Sequence, residues 1–114
     1  MAAGALVALH GGSEKAIIHA AAMAIKNLLG LVCDPVAGLV EVPCVKRNVV
    51  GAMNALSSAD MALAGIESRI PPDQVIDAMK EVGDQMNSSL KETGLGGLAG
   101  TPFGKEVAEN FLGK

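Results

Sequence analysis

The sequence lacks tryptophan and tyrosine altogether, and its aromatic residues are Phe103 and Phe111 alone. Alanine, leucine, valine, isoleucine and methionine must therefore fill any core. Hydrophobic residues make up 50% of the 114 residues and charged residues 18%, a balance that excludes a disordered chain. The length suffices for one domain and is too short for two. We expect another domain or subunit to cover part of so apolar a chain.

A strongly basic charge balance is also missing, because the net charge is −3 and the basic residues are scattered. Nucleic acid is therefore not an expected partner. The apolar start MAAGALVALHGG has no basic segment of the kind that opens a signal peptide. Polar residues such as Lys26, Asp34 and Glu41 interrupt the apolar stretches, so no membrane span is expected. We expect a cytoplasmic protein, in which a structural disulfide is disfavoured.

Apolar residues recur at helical spacing through most of the chain, which predicts an all-α fold. The first helix is expected from Met1 to His10, and a second begins after Ser13, a favourable N-cap. A long helix should run from about Cys44 to Ala64, with Gly65 as its stop. We expect its apolar stripe to be buried, namely Val45, Val49, Ala52, Met53, Leu56, Ala59 and Leu63.

The second half of the chain predicts two further helices. Pro71-Pro72-Asp73 starts one of them, because proline suits the first turn and aspartate the positive helix end. The glycine-rich stretch from Thr93 to Gly104 is expected to be a loop, and a short helix follows it to Leu112. The buried face of the Pro72 helix is expected to comprise Val75, Ile76, Met79, Val82 and Met86.

Two cysteines, Cys33 and Cys44, are the only ones in the chain, and both lie near prolines. In one continuous helix they would be about 16 Å apart, too far for a disulfide or a shared metal site. Pro35 and Pro43 exclude that helix. A loop carrying both cysteines between two long buried helices is predicted instead, and it can bring the sulfurs together. Cys44 then starts a helix, where a thiolate, the form that binds metals, is favoured.

Spacing alone leaves three interpretations of the cysteines open: buried inert thiols, ligands of a metal or cluster, and a disulfide. Two thiolates do not complete a closed metal site. The ten-residue spacing between the cysteines is also not a general metal-binding signature.

Four motifs occur in order along the chain: NLLGLVCDPVAGLVEVPCVKRN, GAMNALSSADMALAG, IPPDQVIDAMKEVG and GLGGLAGTP. Together they closely resemble the iron–sulfur-dependent L-serine dehydratases (L-serine ammonia-lyases), in their α subunit or α domain. The resemblance implies a [4Fe–4S] cluster held by three cysteines, of which Cys33 and Cys44 resemble two. The third is not in this sequence. The chain would then be the C-terminal part of a larger catalytic domain.

The same resemblance implies conversion of L-serine to pyruvate and ammonia without pyridoxal phosphate, as part of amino-acid degradation and gluconeogenesis. An open iron would act as a Lewis acid on the serine hydroxyl. The implied partners are L-serine, the upstream part of the α domain, and a β domain or subunit, with a homo-oligomer as a further expectation. No residue of the sequence is assigned as the catalytic base.

Five side chains are candidates for contacts with the substrate. Asp34 is a candidate for the serine ammonium, although an aspartate before proline is also an ordinary turn starter. Lys46, Arg47 and Asn48 are candidates for the carboxylate, or else form a solvated helix start. Thr101 either faces the active site from the glycine-rich loop or caps the helix that follows.

The sequence is also compatible with other functional classes. A non-catalytic helical interaction module would keep Cys33 and Cys44 as free thiols and use its apolar faces for a partner. A small zinc-binding helical protein is a further alternative. His10 and His19 lie at no ligand spacing, and His19 is expected to lie between helices. We expect the isolated chain to be inactive as an enzyme.

Overall fold

A computed structural model describes residues 1–113 of the chain. Within these residues lie five α-helices and no β-strand beyond one isolated bridge, which confirms the predicted all-α fold. The helices are α1 (Ala2–Leu9), α2 (Glu14–Lys26), α3 (Cys44–Leu63), α4 (Pro72–Gln85) and α5 (Pro102–Leu112). Short 3-10 helices occur at Val36–Gly38, Ser88–Leu90 and Gly97–Gly100.

The described chain forms two compact units. The first contains Met1–Gly30 and Val50–Asp84, and the second contains Leu31–Val49 and the chain from Gln85 onward. The division falls within α3, whose residues 44–49 belong to the second unit. Both cysteines therefore belong to the second unit.

Small side chains dominate the core of the first unit, as the scarcity of aromatic residues requires. Gly4 of α1 is buried, and a Cβ added there would lie 3.2 Å from the side chain of Ile17, so the absence of a side chain lets α1 and α2 approach closely. The buried cluster consists of Ala3, Val7, Ala20, Met23, Ala55, Ala59 and Ala62.

The predicted helix boundaries are confirmed closely. The hydroxyl of Ser13 accepts a hydrogen bond from the N–H of Ala16 at 3.2 Å, so Ser13 is the N-cap of α2. Gly65 follows α3 at φ +86°, a left-handed conformation that suits glycine at a helix end. The stretch from Thr93 to Gly104, expected to be a loop, contains a 3-10 helix and reaches α5 at Pro102.

The burial predicted for two apolar faces is wrong in this chain. On α3 only Ala59 of the predicted stripe is buried, and on α4 only Val75. Helical spacing identifies an apolar face, but it does not provide a neighbour to cover it. The exposed apolar residues of these faces are Val45, Val49, Met53, Leu56, Leu63, Ile76, Met79 and Val82.

Among residues 1–113, no helix has both the length and the apolar character needed to cross a membrane.

Asn54 connects two helices of the first unit through its side-chain amide. Its Nδ2 donates to the carbonyl of Ala24 at 2.9 Å, and its Oδ1 accepts from Nδ2 of Asn27 at 2.7 Å. The C-terminal end of α2 leaves carbonyls without helical partners, and this amide satisfies one of them. Asn54 therefore fixes the end of α2 on α3.

We predict that Asn54→Ala lowers the free energy of unfolding by about 1–3 kcal/mol, because it leaves a polar group without its partner. Urea denaturation followed by circular dichroism measures this change. The matched control is Asn48→Ala on the same helix, where the side chain is exposed and the expected change is within about 0.5 kcal/mol. Equal effects of the two substitutions would contradict the assigned role.

Candidate metal centre at Cys33 and Cys44

A buried carboxylate lies next to the first cysteine. The side chain of Asp34 is only 2% exposed, and each of its oxygens has a donor. Oδ1 accepts from Nη1 of Arg47 at 2.5 Å, and Oδ2 accepts from the N–H of Leu98 at 2.7 Å. The carboxylate thus links the Cys33 segment, the start of α3 and the glycine-rich segment.

Arg47 also holds the chain on the other side of Cys33. The same Nη1 donates to the carbonyl of Val32 at 3.0 Å. The Arg47 N–H donates to the carbonyl of Pro43 at 3.1 Å, as part of the first turn of α3. The residues before and after Cys33 are therefore both attached to one guanidinium.

The backbone of Cys33 is fixed by a further pair of hydrogen bonds. Its N–H donates to the carbonyl of Leu90 at 2.9 Å, and its carbonyl accepts from the N–H of Glu92 at 2.8 Å. These bonds form the isolated parallel bridge between Cys33 and Lys91. Main-chain bonds on both sides leave the backbone at Cys33 little freedom, while its side chain stays half-buried.

Cys44 is the first residue of α3 and follows the cis peptide bond between Val42 and Pro43. A hydrogen bond closes the loop between the cysteines, since the N–H of Val36 donates to the carbonyl of Val42 at 3.0 Å. Cys44 is also half-buried, and both cysteines are free thiols. The structure contains no disulfide between them, and neither thiol is sealed in a core.

The charge on Asp34 is stabilised despite its burial. Burial alone raises the pKa of this carboxyl, but the hydrogen bond from the Leu98 N–H and the hydrogen bond and positive charge of Arg47 outweigh it. The net effect lowers the pKa below its ordinary value of 3.8. Asp34 is therefore an anion that is already paired within the protein.

Glycines allow the segment after Thr93 to approach the Asp34 carboxylate. A Cβ added at Gly97 would lie 2.7 Å from Cβ and 2.9 Å from Cγ of Asp34, and Gly97 has φ +59°. A Cβ at Gly96 would lie 2.8 Å from the carbonyl oxygen of Ser89. Any side chain at these positions would displace the segment, and with it the Leu98 N–H.

The other candidates for substrate contacts differ in their surroundings. Thr101 is the N-cap of α5, since its hydroxyl accepts from the Gly104 N–H at 3.1 Å and donates to the Leu98 carbonyl at 2.7 Å. Lys46 and Asn48 are exposed in the first turns of α3. The structure therefore brings Asp34 and Arg47 together, whereas the side chains of Lys46 and Asn48 stay open to solvent.

The second unit also contains an apolar cavity of about 230 Å³. Thr101 is the one candidate residue on its wall, and the rest of the lining is apolar or glycine: Val36, Val42, Leu98, Phe103, Gly104 and Val107. A charged amino acid would find no ionic partner there. The cavity is therefore not the candidate site for such a substrate.

Both histidines have backbone contacts in the first unit. Nδ1 of His19 accepts from the N–H of Ser68 at 3.0 Å, and Nδ1 of His10 lies 2.8 Å from the carbonyl of Leu6. His19 is half-buried and connects α2 to the segment between α3 and α4.

The donors near Cys33 fit a soft metal or an iron–sulfur centre in kind but not in number. Thiolates are the ligands that such centres prefer, and two are present. Among residues 1–113, no group of three or more histidine, cysteine, aspartate or glutamate side chains is placed to hold a metal ion. A complete centre needs a ligand beyond these two.

Several backbone groups of the site were missed by sequence reasoning, among them the N–H of Leu98 and the carbonyl of Val32. Main-chain donors and acceptors exist at nearly every residue, so residue type does not reveal them. The glycines around Leu98 were the one available signal, because glycine marks close approach of the backbone.

The observations define an all-helical chain with two free thiols whose segments are joined by a buried ion pair. Residues 1–99 match the family model described as serine dehydratase alpha chain, and the chain belongs to that family.

Several curated relatives carry related names. The chain is 60% identical over 113 residues to a probable L-serine dehydratase alpha chain of Bacillus subtilis, and 60% identical over 114 residues to that of Latilactobacillus sakei. It is 55% identical over 112 residues to the L-serine dehydratase alpha chain of Peptoniphilus asaccharolyticus. These alignments cover 99%, 100% and 98% of this chain, but only 38%, 54% and 38% of the relatives. The chain thus spans about half or less of their length.

The lowered pKa of Asp34 predicts a pH-dependent stability. The ionised carboxylate stabilises the folded chain above the unfolded-state pKa of about 4, and this contribution is lost as the pH falls through the lower folded-state pKa. We expect Asp34→Asn to lower the free energy of unfolding by about 2–3 kcal/mol at neutral pH. The gap should shrink below about pH 4 in urea titrations, and a pH-independent gap would contradict this account.

Gly97→Ala is predicted to lower the free energy of unfolding by about 1–3 kcal/mol, because it adds an overlap with Asp34 to an unfavourable φ. Gly38→Ala is the matched control, since Gly38 has φ +71° but no atom within 4 Å of the added Cβ. In the control, the free energy of unfolding should fall only by the cost of placing an alanine in a left-handed backbone conformation. Thermal unfolding of both variants checks this, and equal losses would show that the overlap at Gly97 has no effect.

Proposed function

We propose that this chain supplies part of the catalytic region of an L-serine dehydratase, which converts L-serine to pyruvate and ammonia. The proposal is supported by the names of the relatives and by one structural observation. Cys33 and Cys44 are both free and half-buried, on segments that Arg47 joins through Val32 and Asp34. A ligand pair for a metal cluster needs such accessible thiols on constrained backbone.

Cys33 and Cys44 would be two of three ligands of a [4Fe–4S] cluster, with the third cysteine outside this chain. When bound, such a cluster supplies an open, Lewis-acidic iron to the hydroxyl of serine. Three thiolates rather than four would leave one iron of such a cluster without a protein ligand. Cys44 suits this role because its thiol is free and half-buried at the first residue of α3.

The candidates for substrate contacts separate into two groups. Lys46 and Asn48 are both exposed near Cys44. Because they are two residues apart on one helix, they point to different faces, and each is a separate candidate for the serine carboxylate. Asp34 and Arg47 are occupied by each other, and the Thr101 hydroxyl by its cap. We therefore favour Lys46 and Asn48 for the carboxylate. The base that removes the α-proton of serine is not assigned to any residue of this chain.

The rest of the protein would cover the apolar faces that this chain leaves exposed. These faces lie on α3 and α4 and include Val49, Met53 and Ile76. The proposed partners are the remainder of the alpha chain and a β domain or subunit. We propose a cytoplasmic location, where reducing conditions keep both thiols free.

A second candidate function is a non-catalytic helical interaction module. The exposed apolar faces favour it, because such surfaces mark interaction sites. The two functions differ in the fate of the thiols. A module would leave Cys33 and Cys44 free in the purified protein, whereas the dehydratase would protect them from alkylation under anaerobic conditions.

We predict that the 114-residue chain, reconstituted anaerobically with iron and sulfide, does not deaminate serine. Two thiols alone cannot hold a cubane with one open iron in the proposed way. Pyruvate production measures the activity, and the positive control is the complete dehydratase to which the longer Bacillus subtilis alpha chain belongs, reconstituted in parallel. Strong turnover by the 114-residue chain alone would contradict the proposed three-ligand arrangement.

A further inference from the structure

We propose that Asp34 and Arg47 are a positioning pair that sets the separation between Cys33 and Cys44. The two residues are not used as substrate ligands in this arrangement. They act on the thiols through the backbone.

Arg47 contacts both residues that flank Cys33. Its Nη1 is bonded to the carbonyl of Val32 and to the carboxylate of Asp34, the two residues that flank Cys33. Arg47 itself lies in the first turn of α3, three residues after Cys44. A large displacement of the Cys33 segment relative to the first turn of α3 would therefore strain or break these bonds.

Burial makes the bonds costly to break. Asp34 is 2% exposed, so its carboxylate cannot exchange Arg47 for water without opening the surrounding structure. The second carboxylate oxygen is bonded to the Leu98 N–H, and the backbone at Gly97 lies so close to Asp34 that an added Cβ would be 2.9 Å from its Cγ. The pair is thus confined from three directions.

Contacts outside the ligand set orient the ligands of metal sites, and this pair would do so for two cluster thiolates. This consequence rests on the proposed function. The positioning of the two thiols does not, since it follows from the contacts of this chain alone.

The two cysteines are natural labelling sites for testing the proposal. Nitroxide labels on Cys33 and Cys44 of the full chain report their separation by dipolar electron paramagnetic resonance. We expect a single narrow distance distribution for the native chain. In Arg47→Met the distance distribution should lose its single maximum. Methionine keeps most of the side-chain stem but has no side-chain hydrogen-bond donor. Arg47→Lys should narrow the distribution again, since it restores a cation for Asp34.

Two control variants separate positioning from stability. Val75→Ala removes packing in α4, at a side chain that is 1% exposed, and should leave the distribution narrow. Lys80→Met removes the exposed ion pair with Asp84 and should also leave it unchanged. Hydrogen exchange adds a second measurement. The amides of Cys33, Glu92 and Leu98 should lose protection in Arg47→Met while amides of α2 keep theirs.

A narrow distribution in folded Arg47→Met, or a broad one in the native chain, would overturn the proposal. If Arg47→Met does not fold, the comparison passes to Asp34→Asn, where unchanged width and protection would overturn it equally. The dehydratase proposal fails separately if the complete enzyme shows neither a cluster nor turnover. In that case the distance distribution between the two labels would still be narrow.

Discussion

The structure of the second unit depends on the buried carboxylate of Asp34. An anion removed from water is stable only when donors replace the solvent, and here Arg47 and the Leu98 N–H do so. These two donors come from residues far apart in the sequence, at the start of α3 and in the glycine-rich segment. One charge thus holds together the parts of the chain that surround Cys33.

This arrangement also explains the composition of the neighbouring segments. The glycine-rich stretch is needed because the backbone itself approaches the carboxylate, which Gly97 permits and any side chain would prevent. A long cationic side chain is needed at position 47, because its terminal nitrogen must reach both the Asp34 carboxylate and the Val32 carbonyl. The glycine-rich segment and the start of α3 are therefore joined in one hydrogen-bonded site.

The first unit is held together by apolar packing of small side chains. Its core contains alanine, valine and methionine in place of aromatic side chains, so the helices touch closely and bury little area per residue. Large apolar side chains such as Met53 and Leu56 remain on the surface instead. A family whose curated members are about twice this length or longer has further chain to place on such faces, which agrees with the proposed role as part of a larger enzyme.

The sequence by itself determined the helices, their ends and the family. Ser13, Gly65 and Pro72 act through local hydrogen bonds and backbone angles, so their effects could be predicted from a few neighbouring residues. The pairing of Asp34 with Arg47 and Leu98 was decided only by tertiary structure, as was the exposure of the α3 stripe. Contacts between distant residues, and the presence of a neighbour on an apolar face, depend on how the chain folds back on itself. Spacing along one helix carries no information about either.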